Sequence, residues 1–136
     1  MYVGIIDYGS GNIRSVLKSF EKAASVVSSE IQIKIIKNAD ELKKIEKIVL
    51  PGVGAFAGCM EGLNSRAGLI EMLNIKVLEE KKPFLGICVG MQLLANSSSE
   101  YGDTKGLSWL DGEVDSIKSI NEDIKIPHMG WNSIIF

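Results

Sequence analysis

The chain has 136 residues, 46% of them hydrophobic and 24% charged, with a formal net charge of −2. That suits one compact domain able to bury a core, and it excludes the strong basic bias of nucleic-acid or anionic-membrane binders. The first twenty residues lack the basic-then-apolar pattern of a secretion signal, and no apolar run is long enough to span a bilayer. Two cysteines without a tight pairing pattern fit a reducing compartment, so the expected location is the cytoplasm.

Tyr2–Asp7 is a short apolar run with β-branched residues, and YGSGN follows it. The pattern predicts strand, glycine-rich turn, helix, with Asn12 as N-cap and Ile13, Val16, Leu17 and Phe20 on one helical face. Ile31–Lys37 alternates like a strand. Asn38 to Lys47 holds a short amphipathic helix with Leu42 and Ile45 inward. Lys47–Phe56, KIVLPGVGAF, is a buried strand that stops at Pro51 and runs into glycines. Leu69 to Lys81 has helical apolar spacing. Pro83–Ile87 is a further buried strand, with VGMQLLANS as the helix after it. From Gly106 the chain is punctuated by Gly, Asp and Ser, and pieces such as EVDSIKSI suggest antiparallel strands.

Alternating strands and helices predict an α/β fold with a mostly parallel sheet flanked by helices. Runs such as IVL and FLGI suit strands covered on both faces. No internal repeat, low-complexity tract or linker divides the chain. WNSIIF, Trp131–Phe136, is an apolar, strand-like piece with no turn or polar tail after it. Either it pairs inside the sheet or the chain is cut in mid-domain.

Gly86-Ile87-Cys88-Val89-Gly90 matches a G-x-nucleophile-x-G elbow with cysteine in the serine place. A nucleophile on a strained strand-to-helix bend leaves no room for a Cβ two residues to either side. The helix beginning near Val89 would present its positive end to the sulfur, favouring thiolate. The Val89 N–H would be free to face a developing oxyanion. The competing reading is a buried structural cysteine beside glycines that serve packing. Pro51–Phe56 delivers backbone N–H groups to the carboxyl edge of the sheet, where open α/β sheets place their sites, or is a plain glycine-rich turn. Tyr8–Asn12 lacks a phosphate-loop pattern and reads as a tight turn with a helix cap. His128 is the only imidazole; Cys59 reads as packing. No zinc constellation or cofactor motif is visible, so no metal or cofactor is expected.

DYGSGNIRSV, LPGVGAF, KPFLGICVGMQLL, SSSEYG and KIPHMGWN occur in that order. Together they resemble the class I (triad) glutamine amidotransferases, and among these the glutaminase subunits of imidazole glycerol phosphate synthase. The likeness runs from Val3 to Trp131. It implies that Cys88 attacks the glutamine carboxamide, giving a γ-glutamyl thioester and ammonia. It implies an oxyanion site from the Val89 N–H and a second N–H of the Pro51–Gly54 strand, at Val53 or Gly54. In the family that second peptide must reorient to point inward, a change linked to partner binding. Gly54, Gln92 and Glu100 match substrate-binding positions. Asn12 and Trp131 match positions facing the partner, a (βα)₈-barrel cyclase that receives ammonia through a tunnel and makes imidazole glycerol phosphate and AICAR. The alternatives are a paralogous subunit for surface-polysaccharide sugars and a non-catalytic partner-binding module.

One departure stands out. The family's base histidine and its glutamate lie in an H-x-E segment, and this sequence contains no H-x-E. His128 matches the PHMGWN histidine, which is not that base. The expectation is therefore a single amidotransferase domain over residues 1–136, present as its N-terminal portion, with the C-terminal catalytic segment absent and little activity alone.

Overall fold

A computed structural model describes residues 1–117, 126–127 and 129–135. The chain alternates strand and helix: β1 (Tyr2–Ile6), α1 (Ile13–Val27), β2 (Gln32–Ile36), α2 (Ala39–Leu42), β3 (Lys47–Gly52), α3 (Phe56–Asn64), α4 (Leu69–Asn74), β4 (Phe84–Cys88) and α5 (Val89–Gln92). A π-helical turn, Ile75–Glu79, continues α4. Three two-residue strands follow: β5 (Ser97–Ser98), β6 (Thr104–Lys105) and β7 (Glu113–Val114).

The first four strands form a parallel sheet in the order β2-β1-β3-β4. The side-chain alternation of a strand sorts the core onto its two faces. Val3 and Ile5 of β1 and Val49 of β3 meet Ile13, Val16, Leu17 and Phe20 of α1. Ile6, Ile48 and Leu50 point the other way, into a larger core with Leu42, Phe56, Leu63, Leu69, Leu73 and Val89 from the remaining helices. Gly4 is glycine for the same reason. A Cβ there would come within 2.9 Å of Ile36 and Ile45.

The predicted cap at Asn12 forms, and Asn38 caps α2 in the same way. Asn12 Oδ1 accepts from Ser15 N–H at 3.4 Å and Asn38 Oδ1 from Glu41 N–H at 3.0 Å, satisfying N–H groups that the first turn leaves open. Leu42 and Ile45 are buried as expected.

Four expectations change. First, β3 does not stop at Pro51 but runs through it to Gly52, which stays in register with Cys88; a proline costs the ladder only its own N–H. Second, β4 is not covered on both faces. It is the edge of the four-stranded sheet, and Leu85 is 49% exposed because α1 packs over β1 and β2. Third, β7 pairs parallel with β5, and among the described residues only β5–β6 is antiparallel. The remainder of EVDSIKSI beyond Ile117 lies outside the described residues. Fourth, residues 131–135 form no strand and join no sheet; Trp131, Ile134 and Ile135 are exposed. Phe136 lies outside the described residues.

Helix α5 is also shorter than VGMQLLANS predicts. Its continuation is pre-empted by tertiary bonds. The carbonyls of Leu93, Leu94, Ala95 and Asn96 accept from Leu107, Trp109, Ser108 and Gly106, respectively. Carbonyls taken this way are unavailable to a further helical turn.

Candidate active site at the carboxyl edge of β3 and β4

Cys88 ends β4 directly opposite Gly52, which ends β3. Its backbone sits at φ 56°, ψ −122°, a conformation that L residues rarely adopt, and its side chain is exposed. Strain of this kind persists only where the surroundings impose it. Here they do. A Cβ on Gly86 would fall 2.6 Å from Met91 Cα, and one on Gly90 would run into the Leu50 carbonyl. The glycines on either side of the cysteine are thus required by the close passage of α5 over the two strands. The structural-cysteine reading of Cys88 fails on exposure: the buried cysteine is Cys59.

Val89 opens α5, so its N–H has no acceptor within the helix. The helix is a single turn, and Gln92 lies one turn past Cys88 on it. Gln92 and Glu100 line a common cleft of about 430 Å³ with Ser99, Tyr101, Val114, Asp115 and Ser116. Glu100 has a further role that spacing does not reveal. Its Oε2 accepts from Phe56 N–H at 2.9 Å, the first residue of α3, whose own N-cap, Ala55, has no side-chain acceptor. A carboxylate there also faces the positive end of a nine-residue helix. The cleft is thereby tied to the loop that leaves β3.

That loop, Gly52-Val53-Gly54-Ala55, is held from below by residues of the YGSGN turn. Tyr8, buried, donates its hydroxyl to Pro51 O at 2.9 Å. Burial pushes its phenol well above the ordinary range, with Cys59 adding to the rise. Ser10 Oγ donates to Val53 O at 2.7 Å and accepts from Val53 N–H at 3.4 Å. Cys59 Sγ lies 3.5 Å from the same carbonyl and 3.3 Å from Ser10 Oγ. Gly54 has φ +95° and open space where a Cβ would sit. A Cβ on Gly52 would lie 2.7 Å from Gly90 N and 2.8 Å from the Tyr8 hydroxyl.

Cys88, Val89 and the Gly52–Gly54 loop therefore meet at one edge of the sheet, with Gln92 and Glu100 beside them. Asn12 and Trp131 are exposed, Asn12 as the cap of α1 and Trp131 in an irregular segment outside the sheet. His128 lies outside the described residues. A wider concavity, about 600 Å³, opens around Tyr2, Lys34, Asp40, Glu41 and Lys44. It holds charges of both signs, its Lys34 Nζ is 3.9 Å from the Tyr2 ring centroid, and no cysteine, serine, threonine or histidine lines it. Among the described residues no group of His, Cys, Asp and Glu could hold a metal ion, and no helix is long and apolar enough to cross a membrane. Sequence reasoning missed Tyr8 and Ser10 as supports of the loop. The available signal was a tyrosine and a serine inside a turn that needs only glycine and a cap.

A parallel α/β sheet with a cysteine on a strained bend between strand and helix defines an open α/β protein with a strand-to-helix elbow at its carboxyl edge. Residues 4–136 match the family model for glutamine amidotransferase class-I, and the chain belongs to that family. It is 47% identical over 134 residues to imidazole glycerol phosphate synthase subunit HisH of Rhodopseudomonas palustris, covering 98% of this chain and 62% of the relative. It is 47% identical over 136 residues to the subunit of that name from Rhodospirillum rubrum, covering 100% and 64%. The Brucella abortus protein of the same name is 46% identical over 134 residues, covering 98% and 62%. The chain thus spans a little under two thirds of the length of these relatives.

Proposed function

We propose that these residues carry the nucleophile half of a glutaminase that supplies ammonia to a partner subunit in histidine biosynthesis. The observation that carries this is the exposed thiol of Cys88 at φ 56°, opposite Gly52 at the carboxyl edge of the sheet. In the proposed reaction Cys88 Sγ adds to the carboxamide carbon of glutamine. The Val89 N–H receives the oxyanion, ammonia departs with a proton, and water later cleaves the thioester to glutamate. Glu100 and Gln92, lining one cleft, hold the amino-acid end of the substrate, with Glu100 facing its ammonium; Gly54 contributes backbone at the carboxamide end.

The proton steps need an imidazole. The family pattern draws it from an H-x-E motif, which these 136 residues do not contain. A general base contributes a factor on the order of 10²–10⁴ to such a step. The further reading is of a cytoplasmic heterodimer with a (βα)₈-barrel cyclase, docked through the face that bears Asn12 and Trp131 and fed with ammonia through a channel. The names of the relatives favour this pathway over a polysaccharide-modifying paralogue.

The test is labelling with a glutamine analogue bearing a reactive diazoketone, followed by peptide mass analysis. Modification of Cys88 and not Cys59, blocked by glutamine, is expected. Equal labelling of both cysteines, or labelling that glutamine does not slow, would sink the reading in favour of an inert partner-binding module.

A further inference from the structure

Resting on the glutaminase reading, we infer that Tyr101 is a specificity-determining residue whose ring receives the α-ammonium of glutamine beside the Glu100 carboxylate. Its backbone has φ 55°, in the left-handed region that L side chains rarely adopt. Tyr101 is the third residue of a turn that Gly102 N–H closes on Ser99 O at 3.3 Å, a place where positive φ favours glycine. A tyrosine there carries strain, and packing does not offset it, since the residue is 92% exposed.

The surroundings impose the turn. Buried Ser98 accepts at its Oγ from Glu100 N–H at 3.1 Å, Glu100 Oε2 accepts from Phe56 N–H at 2.9 Å, and the Gly102 bond closes the far end. Glu100 and Tyr101 are thereby held side by side, and both line the cleft of about 430 Å³ that also holds Gln92. Of the residues lining it, Glu100 and Asp115 are acidic and none is basic. The cleft thus favours a cationic group, and the negative face of an aromatic ring adds to that preference without adding a charge. Glutamine offers such a group in its α-ammonium, at the opposite end of the molecule from the carboxamide. A ring that faces water before the substrate arrives would then shield the ammonium and its carboxylate from solvent, which strengthens their attraction.

The experiment compares rates of Cys88 labelling by the diazoketone analogue of glutamine and by the same diazoketone lacking its α-amino group, in the full chain as wild type, Tyr101→Phe and Tyr101→Leu. With either reagent the diazo carbon takes the thiol proton, the S–C bond forms and N₂ leaves, so the ratio of the two rates isolates the ammonium. Wild type is expected to favour the amino reagent. Tyr101→Leu should lose about threefold or more of that preference, the scale of an exposed cation–π contact, whereas Tyr101→Phe, which keeps the ring, should lose less than that. A smaller loss in Tyr101→Leu, or an equal loss in Tyr101→Phe, overturns the role of the ring and leaves the glutaminase reading standing. Wild type without any preference for the amino reagent also overturns it; if glutamine then fails to slow the labelling, the glutaminase reading falls as well.

Discussion

Gly52 and Cys88 are the last register pair of the β3–β4 ladder, so the residue that ends one strand sets the floor beneath the thiol on the other. Gly52 has backbone on one side, Gly90 N at 2.7 Å from its virtual Cβ, and the Tyr8 hydroxyl on the other. Gly52→Ala should therefore force α5 and β3 apart and cost about 1–3 kcal/mol, as overpacking of a tight core does. Urea denaturation gives the loss. Slowed Cys88 labelling in the protein that remains folded would show that the elbow moved with it.

Strain at Cys88 predicts a substitution that stabilises while it disables. Glycine tolerates φ 56°, ψ −122° without the Cβ penalty. Cys88→Gly should raise stability by about 1 kcal/mol, the low end of what such a backbone conformation stores. It should also abolish glutamine-dependent labelling. A fall in stability on thermal denaturation would mean the thiol's packing outweighs the strain.

Glu100 joins cleft and loop through its bond to Phe56 N–H. Glu100→Ala should lose a helix cap, worth about 1 kcal/mol. It should also weaken protection of Cys88 by glutamine by tenfold or more, since an opposed charge in the cleft is removed. Glu100→Gln retains an acceptor for the cap, so it should recover most of the stability but not the protection. Protection at the wild-type level in both variants would remove Glu100 from the substrate site.

Tyr8 gives the pH dependence. Its folded phenol is pushed above the unfolded value near 10, mainly by burial. A raised acid pKa means that the native state keeps its proton while the unfolded chain loses one. Stability is therefore fully present below about pH 10 and falls as pH rises beyond it. Tyr8→Phe should flatten that fall. At pH 8 it should cost about 0.5–1.5 kcal/mol for the lost bond to Pro51 O. Denaturation midpoints at pH 8 and above pH 10, compared between the two proteins, give both numbers; parallel falls would place the titration elsewhere.

The parallel sheet was legible because its strands are short apolar runs separated by helical periods. Val3, Ile5 and Val49 against Ile6, Ile48 and Leu50 obey simple alternation. The bend at Cys88 was legible because glycines two residues to either side leave room for a close strand-to-helix passage, and the approach of α5 to β3 and β4 is the steric reason. What failed to show was long-range. The end of α5 depends on carbonyls taken by residues 106–109, and local helical spacing through Leu94 gives no sign of that competition. The exposure of Leu85 depends on where α1 lies, not on the composition of FLGI. Ser10 and Tyr8 reach residues 43 positions away, a distance at which a turn motif is silent.

Because side chains alternate along a strand, sliding β4 past β3 by one residue would exchange the facings of Ile87 and Cys88. The thiol's access to solvent is therefore decided along the whole ladder, as far back as the Ile48–Phe84 rung. A change at that distant rung which let the strands slip would turn the thiol inward while leaving every atom around it chemically intact.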